Sequence, residues 1–109
     1  MSTALRNPTL RAVRGPVALS AEVRGAKKGF FSEIVNMSGS GALLKTDAKL
    51  AVGDVVMMRF SVPGHADVQT EARVARVEGK TKGVAFTDIS EHASELVVRH
   101  VLRHGRPTA

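Results

Sequence analysis

Residues 55–62, VVMMRFSV, alternate without a break: Val56, Met58, Phe60 and Val62 fall on one side, Met57, Arg59 and Ser61 on the other. Only an extended strand puts every second side chain on the same face, and a face this apolar must be covered by something. The same period appears earlier, where Val17, Leu19, Ala21 and Val23 alternate with Ala18, Ser20, Glu22 and Arg24. It returns at Val68, Thr70, Ala72 and Val74, then slips at Ala75-Arg76-Val77. A phase slip inside a strand predicts a β-bulge.

The segments between these runs complete the pattern. Residues 29–36 predict a second strand, with Phe31, Val35 and Met37 on one face and Phe30 and Ile34 on the other; Ala42 to Lys45 predict a third. GAKKG, Gly53-Asp54, Pro63-Gly64-His65 and EGKTKG carry turn residues, the last closing a hairpin into Val84-Ala85-Phe86. One helical signal comes at the end. Ile89, Ala93, Leu96, Val97 and Val101 recur at helical spacing. Asp88 or Ser90 suits the start, Arg99 and Arg103 suit the C-terminal dipole, and Gly105 suits the stop. Six short strands joined by hairpins and followed by one amphipathic helix predict a mainly β fold. The expected form is a six-stranded antiparallel barrel, its open end covered by the C-terminal α-helix. Residues 1–13 lack periodicity and contain Pro8, so they are expected to be a flexible basic arm, with the barrel and helix over 14–105.

At 109 residues with 43% apolar content, the chain can form one packed core. Cysteine is absent, which excludes disulfides and thiolate chemistry. No apolar run reaches membrane-spanning length, and the N-terminus lacks a secretory signal, so the expected location is the cytoplasm. The net charge is +6 and unevenly spread. Residues 1–28 hold Arg6, Arg11, Arg14, Arg24, Lys27 and Lys28 against Glu22 alone, a balance of +5, leaving +1 for the rest. A cationic leader favours an anionic partner.

Enzymatic constellations are missing. Gly79-Lys80-Thr81 resembles the end of a phosphate-binding loop, but Val74 stands where that loop needs glycine, and a strand follows instead of a helix. It reads as a hairpin turn. His100 and His104 are four apart but have no obvious third ligand, so no metal site is assigned. No nucleophile, base and acid stand in catalytic order, and no catalytic residue or cofactor is expected. Single-stranded nucleic acid is disfavoured too: such surfaces use aromatic platforms, and this chain has four Phe with no Tyr or Trp.

Binding chemistry does collect at two places. Arg6, Arg11 and Arg14 lie just before the first strand, and a guanidinium can pair with phosphate, with the O6/N7 edge of guanine, or with a purine face. Between the second and third strands lies VNMSGSGALLKT. Gly39 and Gly41 let the backbone come close to a ligand and permit positive φ, while Asn36 and Ser38 offer donors and acceptors. Those small residues also suit a plain turn.

An arginine pair before the first strand, followed by Asn-x-Ser-x-x-Gly at Asn36, Ser38 and Gly41, resembles the PilZ domain family. RGPVALSAEV, VGDVVMMRFSVPG and GVAFTDIS are similar to its first strand, its fourth strand and the strand leading to its helix. The resemblance implies a six-stranded barrel with a C-terminal helix that binds cyclic di-GMP, a bacterial second messenger. It implies contacts from an Arg-x-x-x-Arg motif and from [Asp/Asn]-x-Ser-x-x-Gly. Here Leu10 stands at the first arginine position; Arg11 is one place late and Arg6 four places early. The resemblance therefore implies ligand contacts at Arg11, Arg14, Asn36, Ser38, Gly39 and Gly41, with output through an unidentified effector protein, as in motility signalling. Leu10 leaves a second expectation open: a PilZ-fold interaction adaptor that has lost nucleotide binding.

Overall fold

A computed structural model of the chain describes residues 14–25 and 28–104. The basic leader, with Arg6, Leu10 and Arg11, lies outside the described residues, as do Gly105 and the side chain of His104.

The alternating runs become strands β1 (Gly15–Arg24), β2 (Gly29–Ser38), β3 (Gly41–Lys45), β4 (Val55–Ser61), β5 (Asp67–Glu78) and β6 (Thr81–Phe86), followed by helix α1 (Glu91–His104). All neighbours are antiparallel, and the order β1-β2-β3-β6-β5-β4 closes on itself. Closure comes from β1 against β4, where Ala21 faces Phe60 and Val23 faces Met58. A barrel this narrow is filled by its own inward side chains. Val23, Ile34, Leu44, Met58, Ala72 and Val74 are all fully buried there. Phe60 and Phe86 stack with ring centroids 6.2 Å apart.

The expected alternation of Val56, Met58, Phe60 and Val62 holds, with all four buried. So does the expected slip in β5: Val74 pairs with Val84 but Arg76 with Gly83, leaving Ala75 as the extra residue. The faces expected for the second strand need correction. Ile34 pairs with Leu44 and Asn36 with Leu43, so Val35 is a second bulge residue. Beyond it the phase flips. Met37 joins Ile34 in the core, while Phe31, expected on the face of Met37, is 78% exposed.

The hairpin topology sorts the connections between two ends. Gly15, the β2–β3 turn, the β4–β5 turn and the close of β6 share one end. Helix α1 covers it, burying Val97 and Val101 in the barrel cluster. Ser94 Oγ donates to the Gly39 carbonyl at 2.8 Å and is itself buried. The helix start is settled between the two expected caps. Ser90 Oγ accepts from the Ala93 amide at 3.1 Å, in the N-cap manner. Asp88 is used elsewhere: its Oδ1 accepts from Thr70 Oγ1 at 2.9 Å and from the Glu71 amide at 2.7 Å, fixing the chain to β5 before the helix begins.

The other end is held by a lysine. Lys82 is buried, and its Nζ donates to the Thr46 carbonyl at 2.8 Å and the Gly79 carbonyl at 2.7 Å. Gly79 takes φ 58° in the tight turn from β5 to β6, the strand-to-strand arrangement that a phosphate-binding loop does not have.

Candidate functional site

The small polar stretch is almost all strand. β2 runs to Ser38 and β3 starts at Gly41, leaving only Gly39 and Ser40 in the turn. Ser38 explains how so short a turn is held. Its Oγ accepts from the Ser40 amide at 3.2 Å and lies 3.1 Å from Ser40 Oγ, and the residue is 1% exposed. Gly39 is buried and offers its carbonyl to Ser94. Neither Gly39 nor Gly41 is among the described glycines with positive φ, which are Gly53, Gly64 and Gly79. The conformational role expected of the pair is therefore corrected. Gly41 is needed for closeness instead, because a Cβ there would lie 2.4 Å from the Val84 carbonyl oxygen of β6.

On the outer face, strands β2, β3, β6 and β5 run side by side and form a groove of about 390 Å³. That volume lies within the usual range of small-molecule sites, roughly 300–1,000 Å³. Small and apolar residues line it: Gly41, Ala42, Leu43, Ala75, Gly83 and Ala85. Polar groups enter from Asn36 and Ser40, and cations from Arg14 and Arg76. Pairing of Gly15 with Met37 and of Pro16 with Asn36 brings the start of β1 beside β2, and so brings Arg14 to the groove.

Of the sequence-predicted residues, Arg14, Asn36 and Gly41 thus meet on one groove. Ser38, the last residue of β2, braces the turn that carries it, and Gly39 in that turn is bonded to the helix. Arg11 lies outside the described residues. Arg76 belongs to no sequence motif, although the phase slip that puts it there is visible in the sequence. The groove's chemistry is that of a flat, partly apolar anion. A planar ring can lie on the small residues, the Asn36 amide can both donate and accept, and the guanidiniums can take phosphate oxygens.

A larger hollow of about 670 Å³ lies at the end away from α1, between Phe30, Leu50, Val55 and Val56, with Lys28 and Lys49 beside it. The carboxylate there, Asp54, is already bonded to the Ala51 amide at 2.9 Å. Among the described residues, none from the motifs lines this hollow.

The architecture is a closed six-stranded barrel with a helix over one end and a cationic groove on its outer wall. The PilZ domain family model matches residues 9–103, and the chain belongs to that family. Among solved structures, the Bacillus subtilis inhibitor of motility (MotI/DgrA) superposes with TM-score 0.74 at 16% identity, over 84% of this chain and 48% of that one. The chain thus spans about half the length of that protein. The PilZ domain of CeSA from a cellulose-synthesizing bacterium superposes with TM-score 0.65 at 23% identity, over 83% of this chain and 95% of that one. At these identities the likeness is one of fold. No curated protein matches the chain. Among the described residues, no helix is long and apolar enough to cross a membrane.

Proposed function

We propose that the protein is a PilZ-type receptor for cyclic di-GMP that signals through a partner protein. The observation that carries this reading is the meeting of Arg14, Asn36 and Gly41 on one outer groove, since these residues come from both halves of the family's ligand motif. In this reading Arg14 pairs with phosphate or guanine, and Asn36 bonds to the base or ribose. Gly41 keeps the β3 wall low, and Ser38 and Gly39 hold the turn in shape. The resemblance assigns Arg11, in the leader, to the ligand as well. Ligand held in the groove would present a changed surface to the effector protein.

Calorimetric titration of the folded protein with cyclic di-GMP tests the proposal. Saturable heat supports it, and no heat at high protein concentration ends it. The second reading, an interaction adaptor without nucleotide, is favoured by Leu10 in the first arginine position. It is also compatible with a structural relative described as an inhibitor of motility. The same titration separates the two.

A further inference from the structure

Arg76 belongs to neither arginine nor glycine motif, yet it lines the same groove as Arg14, Asn36 and Gly41. Two features of the sheet put it there. The bulge at Ala75 resets the phase of β5 so that Arg76 pairs with Gly83. Gly83, having no side chain, then leaves the space across β6 open: a Cβ there would be 3.7 Å from Arg76 Cβ and 4.0 Å from Arg76 Nε. The arginine stem thus runs over a glycine toward the groove.

Its charge is lightly held. Arg76 Nε lies 3.2 Å from Glu78 Oε1, and the two side chains are 62% and 65% exposed. An exposed pair of this kind contributes little, because water competes for both partners. A phosphate that accepts two parallel bonds from the guanidinium fork is the better acceptor, above all in a groove partly cleared of water.

We propose that Arg76 is a ligand-contacting cation of this groove, released from Glu78 to pair with a phosphate of the bound cyclic dinucleotide. The inference rests on the cyclic di-GMP reading above and adds a residue to it. A cyclic dinucleotide carries two phosphates, and Arg14 is one cation beside the groove. Leu10 occupies the place of the other motif arginine. Arg76 supplies the second charge from the sheet itself, where the strands hold it in position.

The test is calorimetric titration of the full chain with cyclic di-GMP, comparing wild type with Arg76→Met and Glu78→Gln. Methionine keeps an apolar stem over Gly83 and removes only the fork. Both positions are exposed, and thermal melts should match wild type. Arg76→Met should weaken binding about tenfold or more, as expected for loss of a charged hydrogen-bonded contact. Glu78→Gln should bind as well as wild type or up to about fivefold tighter, since the competing carboxylate is gone. Arg76→Met within about twofold of wild type overturns the assignment. Weakening by Glu78→Gln equal to that of Arg76→Met also overturns it, because the pair would then be a strut. If wild type itself takes no cyclic di-GMP, the receptor reading fails and this inference falls with it. If wild type binds and Arg76→Met is unaffected, only this inference falls.

Discussion

Gly41 and Val84 approach so closely across β3 and β6 that a single added carbon on the glycine would stand 2.4 Å from the valine's carbonyl oxygen. The obstacle is backbone in the wall of a closed barrel, so it cannot swing aside. Gly41→Ala should therefore destabilise the fold by about 1–3 kcal/mol, as overpacking does. Urea unfolding checks this, with the midpoint falling and the slope unchanged. A midpoint equal to wild type would mean that the barrel relaxes freely there. Lost ligand binding in this variant would report a distorted wall as much as a lost contact.

Arg14 behaves in the opposite way. It is exposed, just before β1, and is not part of the hydrophobic core. Arg14→Ala should weaken cyclic di-GMP binding about tenfold or more while shifting stability by no more than about 0.5 kcal/mol. Calorimetry and thermal melting on the same preparation measure the two effects. Parallel losses in both would assign Arg14 to the fold and not to the ligand.

Lys82 allows the converse separation. Its ammonium is buried at the end of the barrel away from α1 and is shared by the Thr46 and Gly79 carbonyls. Lys82→Met fills similar space but leaves both acceptors without this donor. The expected cost is about 2–3 kcal/mol, in the range for losing hydrogen bonds to a charged group. Ligand affinity should not change, because the motif groove is elsewhere. A stable Lys82→Met variant would show that water replaces the ammonium, and a folded variant with weakened binding would tie this end of the barrel to the groove.

The strands that obey strict alternation could be read directly, since Val56, Met58, Phe60 and Val62 follow a rule set by local backbone geometry alone. The bulge at Ala75 could also be read, because it sits inside a long strand with a clear phase on its N-terminal side. The bulge at Val35 could not. Phe30, Phe31, Ile34 and Val35 are apolar on both sides, so the slip leaves no trace in the pattern. The motif gave Arg14, Asn36 and Gly41, but not the division of labour within it. That division depends on contacts distant in sequence: Ser94 on Gly39, and Val84 against Gly41. Arg76 escaped for the same reason, as its place depends on Gly83 in the next strand.

Leu10 offers the sharpest test of how the groove collects its charge. Leu10→Arg restores the family's arginine spacing with Arg14. If Arg76 already supplies the second cation, the added arginine should strengthen wild-type binding only slightly, by about threefold or less, and should recover most of the affinity lost in Arg76→Met. Two residues serving one phosphate are coupled, so their effects on binding free energy should fail to add by about 0.5 kcal/mol or more. Titration of wild type, both single variants and the double variant closes the cycle. Strict additivity would show that positions 10 and 76 act on separate parts of the ligand. A Leu10→Arg variant that binds tenfold tighter than wild type would show that the groove was short of a cation and that Arg76 does not fill the place.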